Sequence, residues 1–241
     1  MCGDHDEIPL RGGRVTQRIV RIGDTVRRPQ TVNSTFVRGL LHHLAASGFG
    51  AAPTHLGLDE QGRDVLTYID GDVPADLSLH GDQTLCRAAI LIRRFHDLSA
   101  ALVTTPAAGI EVVCHNDLSP CNFVFRDGVP AALIDFDAAA PGSRVHDLGY
   151  AAWLWLDVGS PEIAGAEQQR RLTLFLSAYG IGDSAAVVAA MLTRQAMLVE
   201  EGCRLGGAAM AKWAADCSQW TQDNLLKLNS PRGGSSDQIR E

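Results

Sequence analysis

Hydrophobic positions change their period twice along this chain. Residues 18–29, RIVRIGDTVRRP, set two short β-branched runs around Gly23-Asp24 and predict a tight hairpin. Phe36, Leu40, Leu41 and Leu44 then recur at helical spacing; Asn33 or Ser34 can cap this helix, and Gly48 fits its end near residue 47. The runs THLGLDE and RDVLTYI flank Gln61-Gly62 and predict a second hairpin. The opening order is hairpin, helix, hairpin.

Beyond Asp70-Gly71 the pattern becomes helical, with Leu85, Ala89, Ile92 and Phe95 keeping one face through a segment ending near Leu98. Three short strands are expected between 112 and 137, in EVVCH, NFVFR and AALIDF, the last two joined by an Asp127-Gly128 turn. From Asp147 to about Leu228 the spacing is helical again, and the polar, Gly- and Ser-rich residues 229–241 are expected to fray. The whole predicts an α+β chain of two lobes: a small β-rich lobe over 1–70 and a larger, mainly helical lobe over 71–228. A cleft between lobes is where small ligands bind.

Composition narrows the function. A chain of 241 residues with 46% hydrophobic content carries enough apolar material for a core, which excludes wholesale disorder. A net charge of −7 argues against holding nucleic acid by a general basic field. No apolar run approaches the roughly 20 residues of a membrane span, and the N-terminus is too polar for a secretory signal. The expectation is a cytoplasmic protein with neither nucleic-acid nor membrane partners. Six thinly spread cysteines without a CxxC pair read as reduced thiols. Lys212 and Lys227 are the only lysines, so the first 211 residues contain none.

The chemistry concentrates in His115-Asn116-Asp117-Leu118-Ser119-Pro120-Cys121-Asn122, followed thirteen positions later by Asp135 at the end of an apolar strand. Phosphoryl transfer to a hydroxyl needs a carboxylate to orient the nucleophile and accept its proton, and oxygen ligands for magnesium on the nucleotide phosphates. Asp117 is the candidate base, and Asn122 and Asp135 offer hard oxygen donors. Ordinary turns also collect Asn and Asp, but spacing, flanking strands and the later Asp147 agree on the catalytic reading. Cys114, His115 and Cys121 have ligand types that suit zinc, yet no second ligand pair stands at suitable spacing.

The stretch HNDLSPCNFVF resembles the catalytic loop of the aminoglycoside phosphotransferase family, the small-molecule branch of the protein-kinase-like fold, and LIDFDAAAPGSRVHDLGY resembles its metal-binding strand and following helix start. The resemblance implies a protein-kinase-like two-lobe fold. Asp117 becomes the catalytic aspartate, Asn122 and Asp135 the Mg2+ ligands, and His115 a brace for the loop, while Asp147 caps the next helix and holds that loop. It also implies ATP or GTP as phosphate donor and a small hydroxylated acceptor, with an aminoglycoside or other antibiotic leading. A choline-like or other small metabolite as acceptor, and a nucleotide-binding pseudoenzyme, are the alternatives.

The family's small lobe places a lysine on a strand to hold the nucleotide phosphates, and here Arg27 is the matching position, with Arg28 pointing the other way. The helix at 34–47 lacks the usual partner acid. By the same resemblance the connector LTYIDG holds adenine through the Thr67 carbonyl and the Ile69 amide, and the RIGDTV hairpin covers the phosphates. Glu200 and Glu201 are the candidate contacts to a cationic substrate. Trp153, Trp155, Trp213 and Trp220 read as core residues of the helical lobe.

Overall fold

The computed structural model of the protein describes residues 7–10, 18–104 and 109–226, so the tail over 229–241 lies outside the described residues. Strands β1 (Ile8–Pro9), β2 (Val20–Ile22) and β3 (Thr25–Arg28) form an antiparallel ribbon whose second turn falls on Gly23-Asp24, with Gly23 at φ +57°. Helix α1 (Ser34–Ala46) precedes β4 (His55–Leu58) and β5 (Asp64–Thr67), which form the second expected hairpin. Because β5 pairs with β3 on its other edge, the sheet order is β1-β2-β3-β5-β4.

Helix α1 buries Val37, Leu40, Leu41 and Leu44. Each leucine so removed from water contributes roughly 2 kcal/mol. Phe36, expected on the same stripe, is 36% exposed, because the tighter set at i, i+3, i+4 and i+7 begins one residue later.

In the large lobe, α2 (Asp82–Ser99) leads to β6 (Val112–Cys114), the hairpin β7 (Phe123–Arg126) and β8 (Val129–Leu133), and β9 (Ala140–Gly142), which pairs with β6. Four helices follow: α3 (Arg144–Trp155), α4 (Gly165–Tyr179), α5 (Ser184–Leu205) and α6 (Ala208–Thr221). This is the expected two-lobe α+β architecture. Strands β1 and β9 were not expected; each is two or three residues long and contains proline, so neither shows alternation.

The connector between the lobes is stapled to the large lobe. Asp72 and Phe125 exchange both backbone hydrogen bonds, at 2.9 and 2.7 Å. Gly71 sits at φ +142°, and a Cβ there would strike the Phe125 carbonyl oxygen, so glycine is required by conformation and by space. Trp153 and Trp155 are buried in the core as expected, whereas Trp213 is 39% exposed and stacks on Trp153 with ring centroids 4.8 Å apart. Among the described residues no single helix is long and apolar enough to cross a membrane, and the five described cysteines are unpaired.

Candidate active site

Strand β6 is buried along its length and delivers His115 into the core beneath the loop that follows. His115 Nε2 lies 3.0 Å from the Ile134 carbonyl, and its Nδ1 faces the Asp117 amide at 3.3 Å. A carbonyl only accepts and an amide N–H only donates, so the proton sits on Nε2 and the ring bridges the loop to the strand before Asp135.

Asp147, fully buried in the first turn of α3, closes the loop from below. One carboxylate oxygen accepts from the His115 amide at 2.7 Å and from His96 Nε2 at 3.0 Å; the other accepts from the Asn116 amide at 2.9 Å. Burial alone would push this carboxyl up. The hydrogen bond from His96, the nearby His96 and His115 imidazoles and the His115 amide outweigh burial and hold it below the usual carboxylate range. The helix cap expected at Asp147 is supplied by Ser143, whose hydroxyl accepts from the His146 amide at 3.1 Å; Asp147 instead ties the loop to His96 on α2.

Asn116 carries a positive φ of +64°, and its side-chain amide donates to the Ala138 carbonyl at 2.9 Å. The turn after Asp117 is held by Ser119, whose hydroxyl accepts from the Cys121 amide at 3.2 Å, and by Trp155 Nε1 donating to the Leu118 carbonyl at 3.1 Å. Asn122 Nδ2 donates to the Asp117 carbonyl at 2.8 Å, and the Ile134 amide donates to the Asn122 carbonyl at 2.9 Å. The loop and the strand leading to Asp135 are thereby fixed to one another. Asp135 is left-handed, at φ +65° and ψ +61°, which turns the chain at the strand end. Asp117, Asp135, Asp137 and Ala138 line one cleft of about 200 Å³.

From the small lobe it is Arg28, not Arg27, that reaches these aspartates. Arg28 Nη2 lies 3.1 Å from Asp135 Oδ1 and is hydrogen-bonded to Asp137 Oδ2, with its side chain only 10% exposed. Arg27 projects from the opposite face of β3, donating to the Thr25 hydroxyl at 2.5 Å and lying 3.7 Å from Asp59. The two-residue pleat decides the matter: neighbours on a strand point to opposite faces, and only the α1 side meets the large lobe. Asn33, whose side chain was expected to cap α1, instead donates to the Asp137 and Ala139 carbonyls at 2.8 and 3.0 Å, a second tie between the lobes.

At its other end β3 meets the connector. Thr25 pairs with Thr67, the Tyr68 amide donates to the Asp24 carbonyl at 2.8 Å, and Arg21 lies over the Tyr68 ring at 3.7 Å. The Gly23-Asp24 turn therefore sits at the connector, some 13 Å along the strand from Arg28 by the ordinary rise per residue. The antiparallel register places this turn, expected over the phosphates, at the end of β3 away from Arg28 and Asp135. Thr67 ends β5, with its amide bonded to the Thr54 carbonyl at 2.9 Å, and Ile69 lies in the irregular connector beyond. Glu200 and Glu201 are exposed near the end of α5, Glu201 being 3.9 Å from Arg204.

The model of the phosphotransferase enzyme family known as APH matches residues 102–181, which hold the catalytic loop, Asp135 and Asp147. A trifolitoxin immunity protein from Rhizobium leguminosarum bv. trifolii is 32% identical over 200 residues, covering 73% of this chain and 75% of that protein. The chain belongs to the APH phosphotransferase family. Solved structures of low identity share its protein-kinase-like fold. The GDP complex of aminoglycoside 2'-phosphotransferase-IIIa is 14% identical at a TM-score of 0.57, covering 92% of this chain and 93% of that one. A macrolide 2'-phosphotransferase from Brachybacterium faecium is 13% identical at 0.55, over 95% and 93%. A choline kinase from Streptococcus pneumoniae is 14% identical at 0.57, over 92% and 93%.

Against that family background, oxygen donors of the kind magnesium takes stand at the two ends of the β7–β8 hairpin, although only Asp135 of the pair lines the cleft. Asn122, just before β7, has committed its NH2 to the Asp117 carbonyl, which leaves its Oδ1 as an acceptor, and Asp135, just after β8, contributes a carboxylate with one oxygen already 3.1 Å from Arg28. Among the described residues no group of three or more His, Cys, Asp or Glu side chains is placed to hold a metal ion by itself, so a zinc site is not built, and burial pushes the Cys114 thiol far above its ordinary value. Tyr150 and Arg194 are the site residues that sequence reasoning missed. Tyr150 stands three positions after Asp147, on the same helix, and that spacing was the available signal; Arg194 had none, since 77 residues separate it from Asp117.

Proposed function

We propose that this phosphotransferase-family chain moves the γ-phosphoryl group of ATP or GTP to a hydroxyl of a small antibacterial molecule, an aminoglycoside or another toxin. The observation that carries the reading is Asp117 facing the same cleft as Asp135 while Arg28 from the other lobe contacts Asp135 and Asp137 at its edge. The 32%-identical relative is named for immunity to a toxin, which supports an antibacterial acceptor.

Asp117 would orient the acceptor hydroxyl and take its proton as the new P–O bond forms. Asn122 and Asp135 would hold Mg2+, which when bound neutralises charge on the phosphates. Arg28 takes the phosphate-clamp role first assigned to Arg27, using a planar fork suited to phosphate oxygens. The Thr67 carbonyl and Ile69 amide would meet the base through backbone groups. His115 and Asp147 hold the loop and touch no substrate. Glu201 lies seven residues beyond Arg194, about 10 Å along one face of α5, and these exposed carboxylates, Glu200 and Glu201, would attract a cationic acceptor.

The deciding experiment measures phosphate transfer from Mg-ATP and Mg-GTP to a panel of hydroxylated antibiotics. Asp117→Ala should lower turnover by at least ~1,000-fold, as loss of a catalytic proton acceptor does, while Mg-ADP still binds within about threefold. Turnover that survives this substitution removes Asp117 from its role, and a wild-type chain that binds nucleotide without transferring phosphate would mark a nucleotide-binding pseudoenzyme.

A further inference from the structure

We propose that Tyr150 is a positioning residue for the Asp117 carboxylate, and that Arg194 locks it in place; this rests on the phosphotransfer reading above. The Tyr150 hydroxyl donates to Asp117 Oδ1 at 2.9 Å. A phenol titrates near ~10, so at neutral pH it can only donate to a carboxylate. One carboxylate oxygen is thereby engaged and the plane of the group is set, which leaves the second oxygen to receive the acceptor hydroxyl.

The phenol is itself held. The Arg194 guanidinium lies over the Tyr150 ring, 4.5 Å from its centroid, and its Nη2 donates to the Asn116 carbonyl at 2.8 Å. One arginine thus grips both the tyrosine that touches Asp117 and the left-handed residue that precedes it. Trp153 also meets the Tyr150 ring in a T-shaped contact, with centroids 6.2 Å apart. Among the described residues Arg194 has no carboxylate partner; besides the ring face and the carbonyl, its Nη1 lies 3.5 Å from His146 Nε2. The helix crossing delivers both residues: Gly149, beside Tyr150, lets α3 approach α5 so closely that a Cβ would stand 2.6 Å from the Met191 amide, one turn before Arg194.

The test compares wild type, Tyr150→Phe, Arg194→Lys and Asp117→Ala, with ADP release from Mg-ATP and 13Cζ-tyrosine NMR as separate readouts. Tyr150→Phe removes one oxygen and should lower kcat about tenfold, a fraction of what misplacing a reacting group can cost. KM for ATP and the melting temperature should stay near wild type, a split that a general loss of structure would not produce. Arg194→Lys keeps the charge but loses the fork, and should lower kcat in the same sense. The chain has three tyrosines, so their Cζ resonances can be assigned. In Asp117→Ala the Tyr150 resonance should move while those of Tyr68 and Tyr179 stay. Turnover in Tyr150→Phe within twofold of wild type, or an unmoved Tyr150 resonance, overturns the assignment. If wild type turns over no ATP, the phosphotransfer reading fails, and the NMR comparison still decides whether Tyr150 holds Asp117.

Discussion

Asp147 has no exposed surface, yet it carries a negative charge that three donors share. Its folded-state pKa is depressed, so the stability it contributes is complete above the unfolded carboxylate value of about 4 and disappears as pH falls through the lower folded value. Asp147→Asn should therefore cost on the order of 2 kcal/mol at pH 7 by weakening charge-assisted bonds. The difference in melting temperature from wild type should shrink below pH 4; a difference independent of pH would contradict the linkage. At this scale the sequence marked Asp117, Asn122, Asp135 and Asp147 because a catalytic loop forces chemistry into fixed short spacings. It matched Arg27 to the phosphate position, whereas the fold turns Arg28 toward Asp135 and Asp137, since a strand's two faces are equivalent until something packs on one of them.

At the scale of elements, the contact between α3 and α5 depends on a missing side chain. Gly149 has ordinary helical geometry, but an added Cβ would stand 2.6 Å from the Met191 amide and 2.9 Å from the Ala190 Cβ. Gly149→Ala should destabilise the protein by about 1–3 kcal/mol through overpacking, despite alanine's better helix propensity. Thermal unfolding checks the sign: a raised melting temperature would show that the helices can separate freely. The long helices and the three hairpins were legible because their periods repeat. Strands β1 and β9 were not, because two or three residues cannot show a period and their pairing comes from distant partners. The tie from Asn33 to the Asp137 and Ala139 carbonyls spans more than 100 residues and leaves no local trace.

For the whole molecule, Arg28 and Asn33 join the small lobe to the loop after Asp135, while the connector is bonded to β7. A nucleotide held, as proposed, between Arg28 and the loop carrying Asn122 and Asp135 should stabilise both lobes together. Saturating Mg-ADP at 100 times its dissociation constant should add about 2.7 kcal/mol to the unfolding free energy. Arg28→Ala should weaken that binding roughly tenfold, as loss of a charge-assisted phosphate contact does, whereas Arg27→Ala should leave it within twofold. A thermal-shift titration of the two variants separates them, and equal effects would return the phosphate clamp to either face of β3.

By itself the sequence determined the order of elements, the α+β class and the short-range spacing of the catalytic loop, because period, turn chemistry and loop motifs are local properties of a chain. Only the tertiary structure decided which arginine meets Asp135 and Asp137, where the Gly23-Asp24 turn lies, and that Tyr150 and Arg194 surround Asp117. Those facts follow from strand register and helix crossing, which are set by packing between segments that know nothing of each other until the chain has folded.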